Sequence, residues 1–199
     1  IKVHPLAGPV SLQLLEKLLH ILSMDQSLSQ DKLEFINNVR LALGISGKDV
    51  DKLIEQIDYL RRRNFTSNLL ELLEEEQRYW VAQMIWRAIH ADHRVDQREY
   101  KYVETILQLI EHDPLRFQQL CQLDSKVSFP SIIGLDQNLR KEIYRYIVEI
   151  MMIDDEYTEE EANFVRDVGE QLGYDAHERD KVIQPVASAQ MIRKIHFQD

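Results

Sequence analysis

Residues Ile89–Ile110, with the sequence IHADHRVDQREYKYVETILQLI, carry the pattern that decides the fold. An apolar helical stripe ends at Ala91, and the polar turn Asp92-His93-Arg94 follows it. Val95 is the apolar residue of this turn, and we expect it to plug the turn. Asp96 then opens a second helical pattern with one apolar side. The stretch therefore predicts two helices joined by a short turn.

The same design occurs twice more in the chain. Met24–Ser29 and Ile153–Thr158 each place an aspartate and further polar residues between two helical patterns. The three equivalent aspartates are Asp25, Asp92 and Asp154, which are separated by 67 and 62 residues. Because self-similarity along a chain indicates a repeated structural unit, we predict three related helix–turn–helix hairpins.

The repetition extends beyond the turns. Residues thirteen, ten and seven positions before each aspartate trace one helical face. Eighteen positions after each aspartate an apolar residue recurs, and Gly44 and Gly173 follow it in the first and third copies, where a helix is expected to end. Any two amphipathic hairpins share such stripes, but the common turn pattern favours a repeat. The recurring residues are Leu12, Leu15, Leu18 and Leu43 in the first copy, Tyr79, Ala82, Ile85 and Ile110 in the second, and Lys141, Tyr144, Ile147 and Leu172 in the third.

Three further predictions concern helix ends. Arg61-Arg62-Arg63 is expected to close the third helix, because basic residues favour a helix C-terminus. The next helical stretch either runs unbroken into residues 79–91 or breaks near Glu74. The last helix, over residues 176–186, is expected to be interrupted at Pro185. The predicted core residues are Leu18, Leu22, Ile85, Ile89, Ile106, Ile147 and Val168, with Val95 and Tyr157 plugging their turns and Cys121 buried as a small hydrophobe.

The second hairpin resembles the TerB-like family of tellurite-resistance proteins. Hairpins of that family carry the signature Ala-Asp-Gly-x-apolar-(Asp/Ser/Thr)-x-x-Glu, and this sequence has Ala91-Asp92, Asp96 and Glu99 at the matching positions. The third hairpin fits the signature over residues 154–161. The resemblance implies an all-α fold, which agrees with the absence of period-two alternation from the sequence.

The resemblance is uneven along the chain. It is best over residues 75–186, which contain two units, and fainter over residues 12–63, a degenerate first unit in which Lys32 replaces the final Glu. We expect residues 1–199 to form a single compact all-α domain of about nine helices. The signature glycine is replaced in all three copies, by Gln26, His93 and Asp155. If this position needs a left-handed backbone, His and Asp tolerate it better than Gln.

The composition limits the classes of function. The 199 residues are enough for a real core, and no apolar run approaches the ~20 residues of a membrane span. Twenty-four basic and 34 acidic residues give a net charge of −10, which argues against nucleic acid and anionic membranes as partners and permits cations or a basic protein surface. One cysteine, Cys121, and no signal-peptide pattern favour a reducing, cytoplasmic location.

The turn aspartates allow two interpretations. Asp25, Asp92 and Asp154 can accept hydrogen bonds from turn N–H groups, and Thr158 and Glu161 have the spacing of a capping box. Alternatively, clustered carboxylates bind hard cations such as Ca²⁺, Mg²⁺ or Mn²⁺. The family resemblance implies this second role, because TerB-like proteins are associated with divalent cations at acidic surface residues. The candidate metal ligands are Asp92, Asp96, Glu99, Asp154, Asp155 and Glu156.

Two hypotheses for the function follow. The resemblance implies a non-enzymatic acidic module for stress-related protein interactions, with a basic partner surface and divalent cations at the acidic turns. The alternative is a metal-dependent hydrolase that uses the cluster of His90, Asp92, His93 and Asp96. A zinc site needs about four ligands with closed geometry, and the sequence does not place a convincing third and fourth. We therefore predict no catalytic residues and no organic cofactor.

Overall fold

The chain is mainly helical over the residues that the structure describes. This computed structural model describes residues 8–23, 30–95, 97–123, 134–153 and 157–196, and within them there are ten α-helices and no strand. The all-α prediction is therefore confirmed. The helices are α1 (Gly8–Ser23), α2 (Gln30–Leu43), α3 (Gly47–Leu72), α4 (Glu75–Ile89), α5 (Gln97–Tyr100), α6 (Val103–Leu109), α7 (Pro114–Cys121), α8 (Gln137–Met151), α9 (Glu159–Gln171) and α10 (Ala176–His196).

The chain divides into two compact units. The first consists of Ile1–Arg61 with Ala187–Asp199, and the second of Arg62–Val186. In the first unit α1 packs against α2, and a buried apolar cluster also takes in the start of α3. A single domain over residues 1–199 stays a prediction. The buried members of the cluster are Leu15, Leu19, Leu33, Ile36, Val50, Leu53 and Ile54.

The second unit is built around α4, which packs against α6, α7 and α8. This helix is apolar on almost every side after its first turn, a pattern that belongs inside a core. Tyr146 of α8 adds a link to two other helices, because its ring stacks on Phe65 at 4.2 Å and its hydroxyl lies 3.1 Å from the Thr105 hydroxyl. The buried residues of α4 are Trp80, Val81, Ala82, Met84, Ile85, Arg87, Ala88 and Ile89.

Each predicted hairpin corresponds to two packed helices. α1 packs against α2, α4 against α6, and α8 against α9. The turn at Asp92 joins α4 to α5 as predicted, whereas Asp25 and Asp154 lie outside the described residues. Gly44 and Gly173 follow α2 and α9 with φ angles of 67° and 87°, and this left-handed backbone confirms both as helix stops.

Two predicted helix ends are wrong. α3 continues past the arginine run to Leu72, and the break comes at residues 73–74, one of the two alternatives. Thr66 and Leu69 are buried beyond the arginines, so tertiary packing outweighs the local charge signal. α10 likewise continues through Pro185, because Val182 and Val186 are buried on both sides of the proline.

The predicted core is largely confirmed. Ile85, Ile89, Ile106, Ile147 and Val168 are all fully buried. The two leucines predicted from α1, Leu18 and Leu22, are only half-buried. The apolar stripe of α1 reaches the core instead through Leu15 and Leu19, which are buried.

Three predicted burials are wrong. Val95 and Tyr157 are 42% and 46% exposed, so neither side chain plugs its turn. The turn after α4 is closed by a hydrogen bond from the backbone N–H of Arg94 to the Asp92 carboxylate, which makes an apolar plug unnecessary. Cys121 is exposed, because as the last residue of α7 it lies beside Leu120, which takes the buried side of that helix.

Replacing Ile147 by Ala is expected to lower the free energy of unfolding by about 2–5 kcal/mol, because the side chain is fully buried and its loss leaves a cavity. Urea unfolding followed by circular dichroism measures the change. Leu41→Ala serves as the control, since Leu41 is 60% exposed. A loss at Ile147 no larger than that of the control would contradict its placement in the core.

Replacing Gly169 by Ala is expected to destabilise the protein by ~1–3 kcal/mol through overpacking. An added Cβ would lie 2.5 Å from Cδ of Arg179 and 2.9 Å from the hydroxyl oxygen of Tyr144. Because that hydroxyl makes no hydrogen bond within the described chain, Tyr144→Phe alone should change stability little. The double variant should recover part of the loss, and purely additive losses would argue against this contact.

Candidate functional site

The turn after α4 is held by its own aspartate. Oδ1 of Asp92 accepts a hydrogen bond from the backbone N–H of Arg94 at 2.8 Å, which is an Asx-turn. Between them, His93 has a φ angle of 62°, so the position of the signature glycine does adopt a left-handed backbone in this copy. Asp92 therefore has a structural role in forming the turn.

The two histidines of this turn are used differently. Nδ1 of His90 lies 2.8 Å from the carbonyl oxygen of Trp86, and the two rings are in tilted contact, with centroids 4.2 Å apart and planes at 34°. His93 is exposed, and Asp96 lies outside the described residues. Nowhere in the described chain are three or more His, Cys, Asp or Glu side chains grouped to hold a metal ion. The arrangement expected of a hydrolase centre is therefore not assembled by His90, Asp92 and His93.

The signature glutamates lie inside their hairpins. Glu99 and Glu161 each come seven residues after a turn aspartate, and they are 4% and 2% exposed. In the first copy Lys32 takes this position, and its Nζ donates to the carbonyl oxygen of Leu22 at 3.2 Å. In the first and third copies this position thus makes contacts within the hairpin.

The start of α9 is the predicted capping box. The Thr158 hydroxyl accepts from the N–H of Glu161 at 3.2 Å, and the Thr158 N–H donates to Oε2 of Glu161 at 2.7 Å. The same carboxylate oxygen accepts from the Thr158 hydroxyl at 3.0 Å. Burial raises the pKa of neighbouring Tyr157, and the Glu161 carboxylate raises it further. Glu161 is therefore committed to the cap.

The remaining candidate ligands divide between described and undescribed positions. Asp154, Asp155 and Glu156 lie outside the described residues, so a cation site at the third turn stays a prediction. Glu159 and Glu160, in the first turn of α9, are exposed. Acidic residues there are favourable next to the positive end of the helix dipole. Two exposed carboxylates therefore flank the predicted site.

Cys121 offers little as a nucleophile. Partial burial of its thiol raises its pKa above the ordinary value, which lowers the fraction of reactive thiolate at neutral pH. The same residue lies at the exposed end of α7. A thiol-based reaction is accordingly not favoured at this position.

Sequence reasoning missed a polar junction at the start of α4. The Arg78 guanidinium donates from Nε to the carbonyl oxygen of Leu73 at 2.9 Å and also to that of Leu70, so it caps the end of α3. Its Nη1 pairs with Glu111 at 3.3 Å. The partners are separated by 33 residues, and no local pattern predicts such a pair.

The acidic character belongs to one part of the sequence. Residues 62–186 contain 25 acidic and 15 basic residues, whereas residues 1–61 with 187–199 contain nine of each. The whole net charge of −10 therefore lies in 62–186. A positively charged partner would be attracted to residues 62–186 rather than to the charge-balanced remainder of the chain.

Comparison with known proteins identifies the family. The sequence matches the family described as "Tellurite resistance protein TerB" over residues 11–122, which is more than half of the chain. The match covers the first two hairpins, and its range differs from residues 75–186, where the resemblance was expected to be best. No curated protein and no solved structure matches the chain. No helix in the described part of the chain has the length and apolar character of a membrane-spanning segment. On the family match over its first two hairpins, the chain belongs to the TerB family of tellurite-resistance proteins.

Proposed function

We propose that this chain is a non-enzymatic interaction module that binds a protein partner with a basic surface in a stress-related, cytoplasmic assembly. The observation that carries the proposal is the confinement of the net charge of −10 to residues 62–186. Complementary charge steers association and suppresses wrong partners. Membership of a tellurite-resistance family supports the stress-related setting.

The local contacts support an interaction role over a catalytic one. Asp92 is engaged by the N–H of Arg94, His90 by Trp86, and Glu161 by the cap at Thr158. These contacts give each group a structural role, and the described part of the chain holds no group of three His, Cys, Asp or Glu side chains for a catalytic metal ion. The hydrolase alternative would require His90 and His93 to converge on one centre, whereas the His90 ring lies against the Trp86 ring in tilted contact.

A divalent cation is the proposed small ligand of this module. The acidic run of the third hairpin contributes Asp154, Asp155 and Glu156 as ligands, with the exposed Glu159 and Glu160 beside them. Carboxylate oxygens are the ligands that Ca²⁺, Mg²⁺ and Mn²⁺ prefer. The dense carboxylates and the family match support this assignment.

The basic-partner role predicts a growth phenotype. In the host organism, loss of this chain should reduce growth in potassium tellurite, and the wild-type chain should restore it. A variant in which six acidic residues of the second unit are neutralised should not restore growth. A variant with six neutralised acidic residues in the charge-balanced first unit should restore it. Full restoration by both variants would contradict an acidic interaction surface. The changed residues are Glu71, Glu74, Glu76, Glu104, Glu159 and Glu160 in the test variant, and Glu16, Asp31, Glu34, Asp51, Glu55 and Asp58 in the control, each to its amide.

The cation role predicts saturable binding. Millimolar Ca²⁺, Mg²⁺ or Mn²⁺ should raise the melting temperature, because a ligand bound only by the folded state stabilises it. The double variant Asp155→Asn with Glu156→Gln should keep the fold and lose that increment. Titration calorimetry without saturable binding at low millimolar cation would refute the cation role and leave the protein-partner role intact.

A further inference from the structure

Two exposed leucines lie at one corner of the second unit. Leu72 and Leu115 are 64% and 63% exposed, the highest values among large apolar side chains in the described chain. Leu72 is the last residue of α3, and Leu115 is the second residue of α7. Scattered exposed leucines are ordinary, so their significance depends on whether they share one surface.

Ion pairs anchored on α4 link the two segments that carry these leucines. Arg78 caps the carbonyl groups on either side of Leu72 and reaches across to Glu111, which is four residues before Leu115. Arg116, directly after Leu115, pairs with Glu75 of α4 and lies 5.4 Å from the centre of the Tyr79 ring. The end of α3, the first turn of α4 and the start of α7 therefore meet as one surface, the Leu72–Leu115 corner.

The surroundings of this corner are strongly acidic. Residues 71–78 and 111–116 contain six acidic residues and two arginines, a net charge of −4. Both arginines are already paired, and Glu71, Glu74 and Glu76 are exposed, with Glu74 also forming the capping box of α4. Two apolar side chains with an acidic rim match the usual arrangement of an interface, which has an apolar centre and a polar edge.

The corner is held in place before any partner arrives. Glu111 and His112 have φ angles of 57° and 55°, a conformation that non-glycine residues rarely adopt. Asp113 fixes the turn by accepting from the N–H groups of Leu115 and Arg116 at 2.9 Å and 3.3 Å. A preorganised surface loses less conformational freedom when it binds.

We propose that the Leu72–Leu115 corner is the docking site for the protein partner, and that the partner segment is an amphipathic helix with an apolar face flanked by Lys or Arg. This docking site rests on the proposed function and specifies which surface binds the partner. Apolar residues of the segment cover the two leucines, and its cations meet Glu71, Glu74 and Glu76. The acidic rim sets the salt dependence, and the leucines set the lifetime of the complex.

The test uses a synthetic helix-forming peptide with leucines on one face and lysines on both flanks, and a second peptide with serine at every leucine. The leucine peptide should bind the full chain and shift backbone NMR signals of residues 70–76 and 111–116. Leu72→Ser with Leu115→Ser should weaken its affinity by roughly tenfold or more, the loss typical of a central contact. Neutralising Glu71, Glu74 and Glu76 should weaken binding and reduce its dependence on salt.

Matched controls separate this site from other surfaces. Ile21→Ser with Leu41→Ser changes two side chains of similar exposure, 62% and 60%, in the first unit, and should leave affinity unchanged. Thermal melts of every variant check that each is folded. Equal binding of the serine peptide, or undiminished affinity of the folded Leu72/Leu115 variant, would overturn the docking site. Binding abolished by Glu159→Gln with Glu160→Gln would move the partner to the third hairpin and preserve the proposed function, whereas no binding of either peptide at low salt would overturn both.

Discussion

The burial of α4 is the constraint on which the second unit depends. Eight of the ten residues from Trp80 to Ile89 are buried, so this helix has almost no side left for solvent after its first turn. Neighbours are therefore required on several sides, and α6, α7 and α8 supply them. The turn at Asp92 begins where α4 ends, and the Leu72–Leu115 corner lies where α4 begins. Both functional candidates of this unit are thus positioned by one buried helix.

The sequence predicts the local parts of this fold better than the tertiary ones. The hairpin at Asp92, the helix stops at Gly44 and Gly173, and the capping box of Thr158 follow from residues close together in the chain. The continuation of α3 depends instead on packing beyond Arg63, which a local charge signal does not contain. Propensity is a weak guide wherever tertiary contacts oppose it.

The candidate site divides in the same way. The Asx-turn at Asp92 could be predicted, because an aspartate after a helix has a short-range partner two residues on. The roles of His90 and Arg78 could not, since one depends on the orientation of a ring and the other on a partner 33 residues away. The family signature therefore describes in part how a hairpin is built. In the third copy the last position of the signature is Glu161, whose carboxylate is buried and accepts from the cap. In the first copy it is Lys32, whose amine donates a hydrogen bond to a carbonyl oxygen of the preceding helix.

The hairpin construction also has a consequence for how the chain folds. Within each hairpin the packed helices are consecutive or nearly so, and the loops that close them are short. The contact between α4 and α8 is different, because residues 90–136 separate the two helices. Closing a longer loop loses more chain entropy before the stabilising contact forms. Loop length alone therefore predicts that the hairpins form first and that the docking of α8 onto α4 completes the core of residues 62–186 later.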